Sequence, residues 1–111
     1  MGQAVGPRRV VALVDDLMDR SRISAAIPGV VFAGGPDAAP GADVVVVDLG
    51  RHAAALELIR HRAPRALLVA FGSHVDAATL DAARAAGADR VLPRSRFFRD
   101  PGAAVAPTAE A

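Results

Sequence analysis

A chain of 111 residues makes one domain with a modest core, and its 52% hydrophobic content leans on alanine, so large core side chains are few. A formal net charge of +1 argues against a strong electrostatic nucleic-acid binder, and the absence of cysteine excludes disulfides, cysteine metal sites and thiol catalysis. All 13 residues in the lysine-plus-arginine count are arginine, so no lysine amine is available for catalysis.

No apolar run approaches the roughly 20 residues that span a bilayer. The leader Met1 to Arg9 lacks the long apolar segment of a signal peptide. A cytoplasmic protein with no membrane and no nucleic-acid partner is expected. Residues 1–7 read as a flexible leader. Arg8 to Val14 is an apolar, β-rich run that ends in Asp15-Asp16. Leu17 to Ile27 can form a helix with Leu17, Ile23 and Ile27 as a rough apolar stripe and with Asp19, Arg20 and Arg22 facing water. Pro28-Gly29 stops it, and Val30 to Ala33 makes a short edge strand. Residues 34–41, G-G-P-D-A-A-P-G, hold one helical turn at most.

Ala42 to Gly50, A-D-V-V-V-V-D-L-G, is the strongest strand signal. Four consecutive valines suit a strand buried on both faces of a parallel sheet. Arg51 to Arg62 is helical, with Ala55, Leu56 and Ile59 on one face. Ala66 to Phe71 is a buried strand. Ser73 to Ala86 is helical: Ser73 and Asp76 match the S-x-x-D capping box, and Gly87 supplies a left-handed terminus. Asp89 to Leu92 is the last strand. Beyond it, a short helical turn near Phe97–Arg99 is the most that is expected. The domain then covers 8–99, with 1–7 and 100–111 as flexible termini. The order β-α-β-(loop)-β-α-β-α-β, with right-handed crossovers, predicts a five-stranded, three-layer α/β sandwich.

Three carboxylates stand at strand ends: Asp15 and Asp16 after the first run, Asp48 after the third. If those strands are neighbours, the side chains converge where open α/β sheets place their ligands. Hard oxygen donors crowded together suit Mg²⁺. The plainer alternative makes them helix caps and solvated turns.

At these residues the sequence resembles the receiver domain of bacterial response regulators, the CheY-like family. The likeness rests on V-D-D-L-M-D-R-S-R-I, on V-V-V-V-D-L, and on A-A-R-A-A-G-A-D-R-V-L-P-R-S, and it covers roughly residues 8–99. It implies a flavodoxin-like fold with strand order 2-1-3-4-5. It also implies Mg²⁺ on Asp15, Asp16 and Asp48, with Asp48 accepting a phosphoryl group from a histidine kinase. The departures suggest a degenerate, pseudo-receiver variant. Where the family keeps a hydroxyl at the end of the fourth strand, this chain has Ala70 or Gly72. Ser73 is the only nearby hydroxyl and reads first as a helix cap. The family's lysine before a cis-proline becomes Arg94 followed by Ser95. Arg94 and Ser73 are the candidate phosphate or anion contacts. The aromatic switch position reads Val91 or Arg90. The second helix is nearly gone, and the fifth is missing or vestigial.

Other motifs carry less. Arg94, Arg96 and Arg99 with Phe97 and Phe98 could form a basic, aromatic docking patch, or a phenylalanine could plug the sheet end. Ser73-His74 near Asp76 lacks a G-x-S-x-G elbow. His52, His61 and His74 lack metal spacing and read as surface residues. No G-x-G-x-x-G occurs. The expectation is a stand-alone receiver-like domain in bacterial signalling, not an enzyme, with no catalytic residues of its own. It would bind a histidine kinase or a signalling or output protein, with a homodimer as a further candidate. The alternatives are a working single-domain phosphoacceptor and a small-ligand or nucleotide-binding module.

Overall fold

The computed structural model describes residues 8–73 and 75–107; the expectations for 1–7, for His74 and for 108–111 lie outside the described residues. Five strands pair in parallel in one sheet: β1 Val10–Leu13, β2 Val31–Phe32, β3 Val44–Asp48, β4 Leu67–Gly72 and β5 Arg90–Pro93. Their order is β2-β1-β3-β4-β5, the flavodoxin-like order expected.

The valine run is the spine. Val44 to Val47 are all fully buried, and they alternate between two cores: Val45 and Val47 face one, Val44 and Val46 the other. Each buried valine contributes about 1.5–3 kcal/mol of transfer free energy. A strand pairs on each side of the run: β3 pairs β1 from Val10↔Val44 to Leu13↔Val47, and β4 from Val44↔Leu67 to Asp48↔Phe71.

Helices cover both faces. On one lie α2 (Leu49–His52), α3 (Leu56–Arg62) and α4 (Ala77–Ala85), with Leu56, Ile59 and Ala83 turned inward. A 3-10 turn, Ala53–Ala55, joins the first two, so the expected helix over 51–62 is broken and begins two residues earlier. The other face carries α1 (Leu17–Ala26), α5 (Arg94–Arg99) and α6 (Pro101–Ala104), with Ile23, Phe97 and Val105 buried. The crossover from β2 to β3 is a loop with one 3-10 turn, Pro36–Ala38. The fully buried Ala39 behind it does the covering that a second helix would do.

The expectations for the α4 cap, for the tail and for the stripe on α1 need correction. The α4 cap is Asp76, not Ser73: its Oδ1 accepts the Thr79 N–H at 2.8 Å, and the helix begins only at Ala77. The fifth helix is vestigial, as expected, at six residues. Phe97 is fully buried, stacked on Phe71 at 4.7 Å between ring centroids, and Phe98 packs edge-on to both. That removes Phe97 from any docking patch and makes it the plug. The packed domain also runs past Arg99. Asp100 caps a further turn through the Ala103 N–H, Pro101 and Val105 are buried, and Arg8 and Arg90 donate to the carbonyls of Val105 and Ala104. Leu17 lies outside the apolar stripe at 77% exposed, while Asp19 lies inside it.

Candidate functional site: an acidic cleft at the strand ends

Because Leu13 and Val47 are register partners, the residues just beyond them emerge side by side at the carboxyl edge of the sheet. Asp15, Asp16 and Asp48 line one cleft there, about 370 Å³ in volume, together with Asp19, Gly50, Arg51, Ser73 and Arg94. Both readings of these aspartates hold at once. Asp16 caps α1 by accepting the Asp19 N–H at 2.9 Å, and Asp48 caps α2 by accepting the Gly50 N–H at 2.9 Å. Each uses one carboxylate oxygen as a cap, and the second oxygen takes no part in that bond. A Cβ at Gly50 would sit 3.3 Å from Asp48 Oδ1, so glycine keeps that turn close to the carboxylate.

Asp15 is spoken for. His52, on α2, approaches its Oδ1 at 3.1 Å through Nε2, and this hydrogen bond holds the Asp15 carboxyl below its ordinary range. The imidazole is only 15% exposed, so His52 is not the free surface residue expected of it. Its neighbour in that expectation, His61, is exposed.

Arg94 does enter the cleft, but it is held there by Asp19. Its Nη1 and Nη2 donate to the two Asp19 oxygens at 3.0 and 2.7 Å, a bidentate fork. Asp19 is 4% exposed, the one buried charged side chain among the described residues. The guanidinium also lies 5.6 Å from the Phe71 ring centroid and 5.0 Å from that of Phe98. Its pKa is raised, first by the hydrogen bond to Asp19, with the charges of Asp48 and Asp16 adding to the effect. Sequence reasoning placed Asp19 in water. The missed signal was spacing: Asp19, Ile23 and Ile27 follow one another at four-residue steps, which puts Asp19 on the inward face of α1. Arg20, also expected in water, folds back to donate from Nε to the Val14 carbonyl at 2.6 Å.

The end of β4 carries no hydroxyl. Ala70 pairs with Val47 and is fully buried, whereas Gly72 is the last strand residue, one step past the partner of Asp48. Gly72 therefore ends the strand one step beyond the level of Asp48, and the exposed Ser73 that follows it is the residue after β4 that lines the cleft. Gly72 also pairs with Pro93, which sets Arg94 immediately beyond β5 on the same edge.

The donors suit a hard cation in kind, since Asp16 and Asp48 each keep an oxygen outside their capping bonds. Among the described residues no three His, Asp or Glu side chains close into a ready-made metal cage. A divalent ion here would need water to complete its shell.

No protein-family model and no curated protein matches this sequence. Solved structures do match. A response regulator from Burkholderia pseudomallei with a phosphorylated aspartic acid, calcium ion and citrate superposes with a TM-score of 0.77 at 16% identity, covering 89% of this chain and 66% of that one. The Mn²⁺-bound form of the response regulator Rcp1 gives 0.74 at 12% identity, covering 95% and 100%. The BeF3-activated DrrB receiver domain gives 0.72 at 16% identity, covering 86% and 92%. The fold is therefore that of response-regulator receiver domains, a CheY-like parallel sandwich. No described helix is long and apolar enough to cross a membrane.

Proposed function

We propose that the chain is a receiver-like domain that serves bacterial two-component signalling through protein–protein contact, with the phosphorylation switch blunted. The observation that carries this is the Arg94–Asp19 fork beside Gly72. A switching receiver needs one side chain at the end of β4 and one at the end of β5 that are free to follow a new phosphoryl group. Here the first is a glycine. The second is committed to a buried carboxylate, and removing one partner of such a pair costs about 3–5 kcal/mol when both are buried, less here because the Arg94 side chain is 35% exposed. The partner class is a histidine kinase or a signalling or output protein, with a second copy of the chain as a further candidate.

The second reading is a working phosphoacceptor. Asp48 lies in an open cleft with one oxygen outside its capping bond, and a structural neighbour carries a phosphorylated aspartic acid. In that case Asp16 and Asp48, with Asp15 beside them, would hold Mg²⁺, which supplies positive charge against the phosphoryl oxygens. Arg94 and Ser73 would be the anion contacts. A small-ligand module has less support, because Arg94 is occupied and the α4 N-terminus is already capped by Asp76.

Intact-mass spectrometry after incubation with acetyl phosphate and Mg²⁺ separates the first two. Little or no added phosphoryl mass is expected. Stoichiometric addition, lost in Asp48→Ala, would establish the phosphoacceptor instead.

A further inference from the structure

We propose that Arg94, fixed by Asp19, is the resident cation of the acidic cleft and sets how weakly a divalent metal ion binds there. The inference rests on reading Asp15, Asp16 and Asp48 as a cation-competent cleft. It does not depend on any partner or on phosphorylation.

Four carboxylates line the cleft: Asp15, Asp16, Asp19 and Asp48. Two of them are already engaged from within the protein: Asp15 by a hydrogen bond with His52, and Asp19 by the Arg94 guanidinium. That leaves Asp16 and Asp48, each with one oxygen engaged in capping. The guanidinium lines the same cleft as both. A dication drawn to Asp16 and Asp48 therefore meets a like charge that is already in place.

That charge cannot step aside cheaply. Both oxygens of Asp19 are bound by Arg94, and Asp19 is 4% exposed, so withdrawal of the guanidinium would strand a buried carboxylate. The guanidinium also sits over the Phe71 and Phe98 rings, and both rings pack on the fully buried Phe97. Nor can the charge be shed: arginine does not deprotonate in proteins, and its fork matches a carboxylate in a way a lysine ammonium does not. The pair ties α1 to the start of α5 and at the same time supplies the positive charge that a metal ion would bring.

The test is a Mn²⁺ titration of the full chain, followed by the electron paramagnetic resonance signal of the free ion. Arg94→Met should bind Mn²⁺ about tenfold or more tightly than the native chain, because the repelling charge is gone. Arg94→Lys keeps the charge and should stay near the native affinity. Should Arg94→Met fail to fold with Asp19 stranded, the double variant Asp19→Asn with Arg94→Met replaces the pair by neutral groups and should also bind more tightly than the native chain, by a smaller factor. Equal affinity in the native chain and the foldable Met variant would overturn the inference, as would Arg94→Lys binding as tightly as Arg94→Met. Absence of Mn²⁺ binding in every variant would overturn it too, and would remove the cleft as a cation site while leaving the partner-binding proposal standing.

Discussion

The two halves of the cleft are built on different principles. The half at the ends of β1 and β3 follows from the sheet itself: two long apolar runs in register, each ending in aspartate, deliver Asp15, Asp16 and Asp48 to one edge and use two of them as caps. The half at the ends of β4 and β5 departs from that logic. It ends β4 in Gly72 and turns Arg94 toward a buried aspartate on α1, beside a cluster of three phenylalanines. The first half is a place where an ion or phosphoryl group could sit. The second half is locked, and its rigidity comes from aromatic packing and a bidentate ion pair. On the proposed reading, a receptive site persists in a fold whose means of responding has been turned into structure.

The contrast can be broken most severely at the locked half. Phe97→Ala should cost about 3–5 kcal/mol, since it empties a fully buried aromatic position that holds α5 to the sheet. Urea denaturation would measure it, and a loss below about 1 kcal/mol would return α5 to the status of an appendage. Arg94→Met should cost about 2–4 kcal/mol by stranding Asp19, whereas the double variant Asp19→Leu with Arg94→Met should recover much of that loss. A double variant no more stable than the single one would mean that the pair does not carry the coupling. Smaller still is the cap at α4: Asp76→Ala should cost about 1 kcal/mol, and Ser73→Ala less than about 0.5 kcal/mol.

The receptive half should show itself in acid. The hydrogen bond from His52 lowers the Asp15 pKa from 3.8. A depressed folded-state pKa contributes stability above the unfolded value, and that contribution is lost as pH falls through the folded value. The Asp15 carboxyl carbon should therefore titrate by NMR below the pH of an unperturbed aspartate, and His52→Ala should raise its midpoint. An unchanged midpoint would dissociate the pair.

Much of this molecule can be read from its residues. Four valines before Asp48 and the R-R-V-V-A-L-V run before Asp15 make sense only as neighbouring buried strands, and the acidic edge follows from their pairing. The locked half was less legible because its contacts join residues far apart in sequence. Asp19 and Arg94 are 75 positions apart, and each looks like an ordinary surface charge until the helix and the last strand are packed. Ser73 was misjudged for a local reason: S-x-x-D fits a capping box, but β4 runs on to Gly72, and the helix waits for the stronger carboxylate cap at Asp76. The tail was misjudged because Pro101-Gly102 suggests a break, while proline at the first turn of a helix capped by Asp100 is a start signal.

The central claim is that occupancy of the cleft, even when forced by a saturating mimic, is not passed on to β5 and α5. It is tested most directly by amide NMR of the full chain with Mg²⁺ and beryllofluoride, which mimics the phosphoryl group on aspartate. The account predicts shifts confined to the loops bearing Asp15, Asp16 and Asp48, with the amides of Arg94 to Arg99 and the Arg94 side-chain resonances unmoved. Shifts that spread through β5 and α5, with the Arg94–Asp19 pair opened, would contradict it.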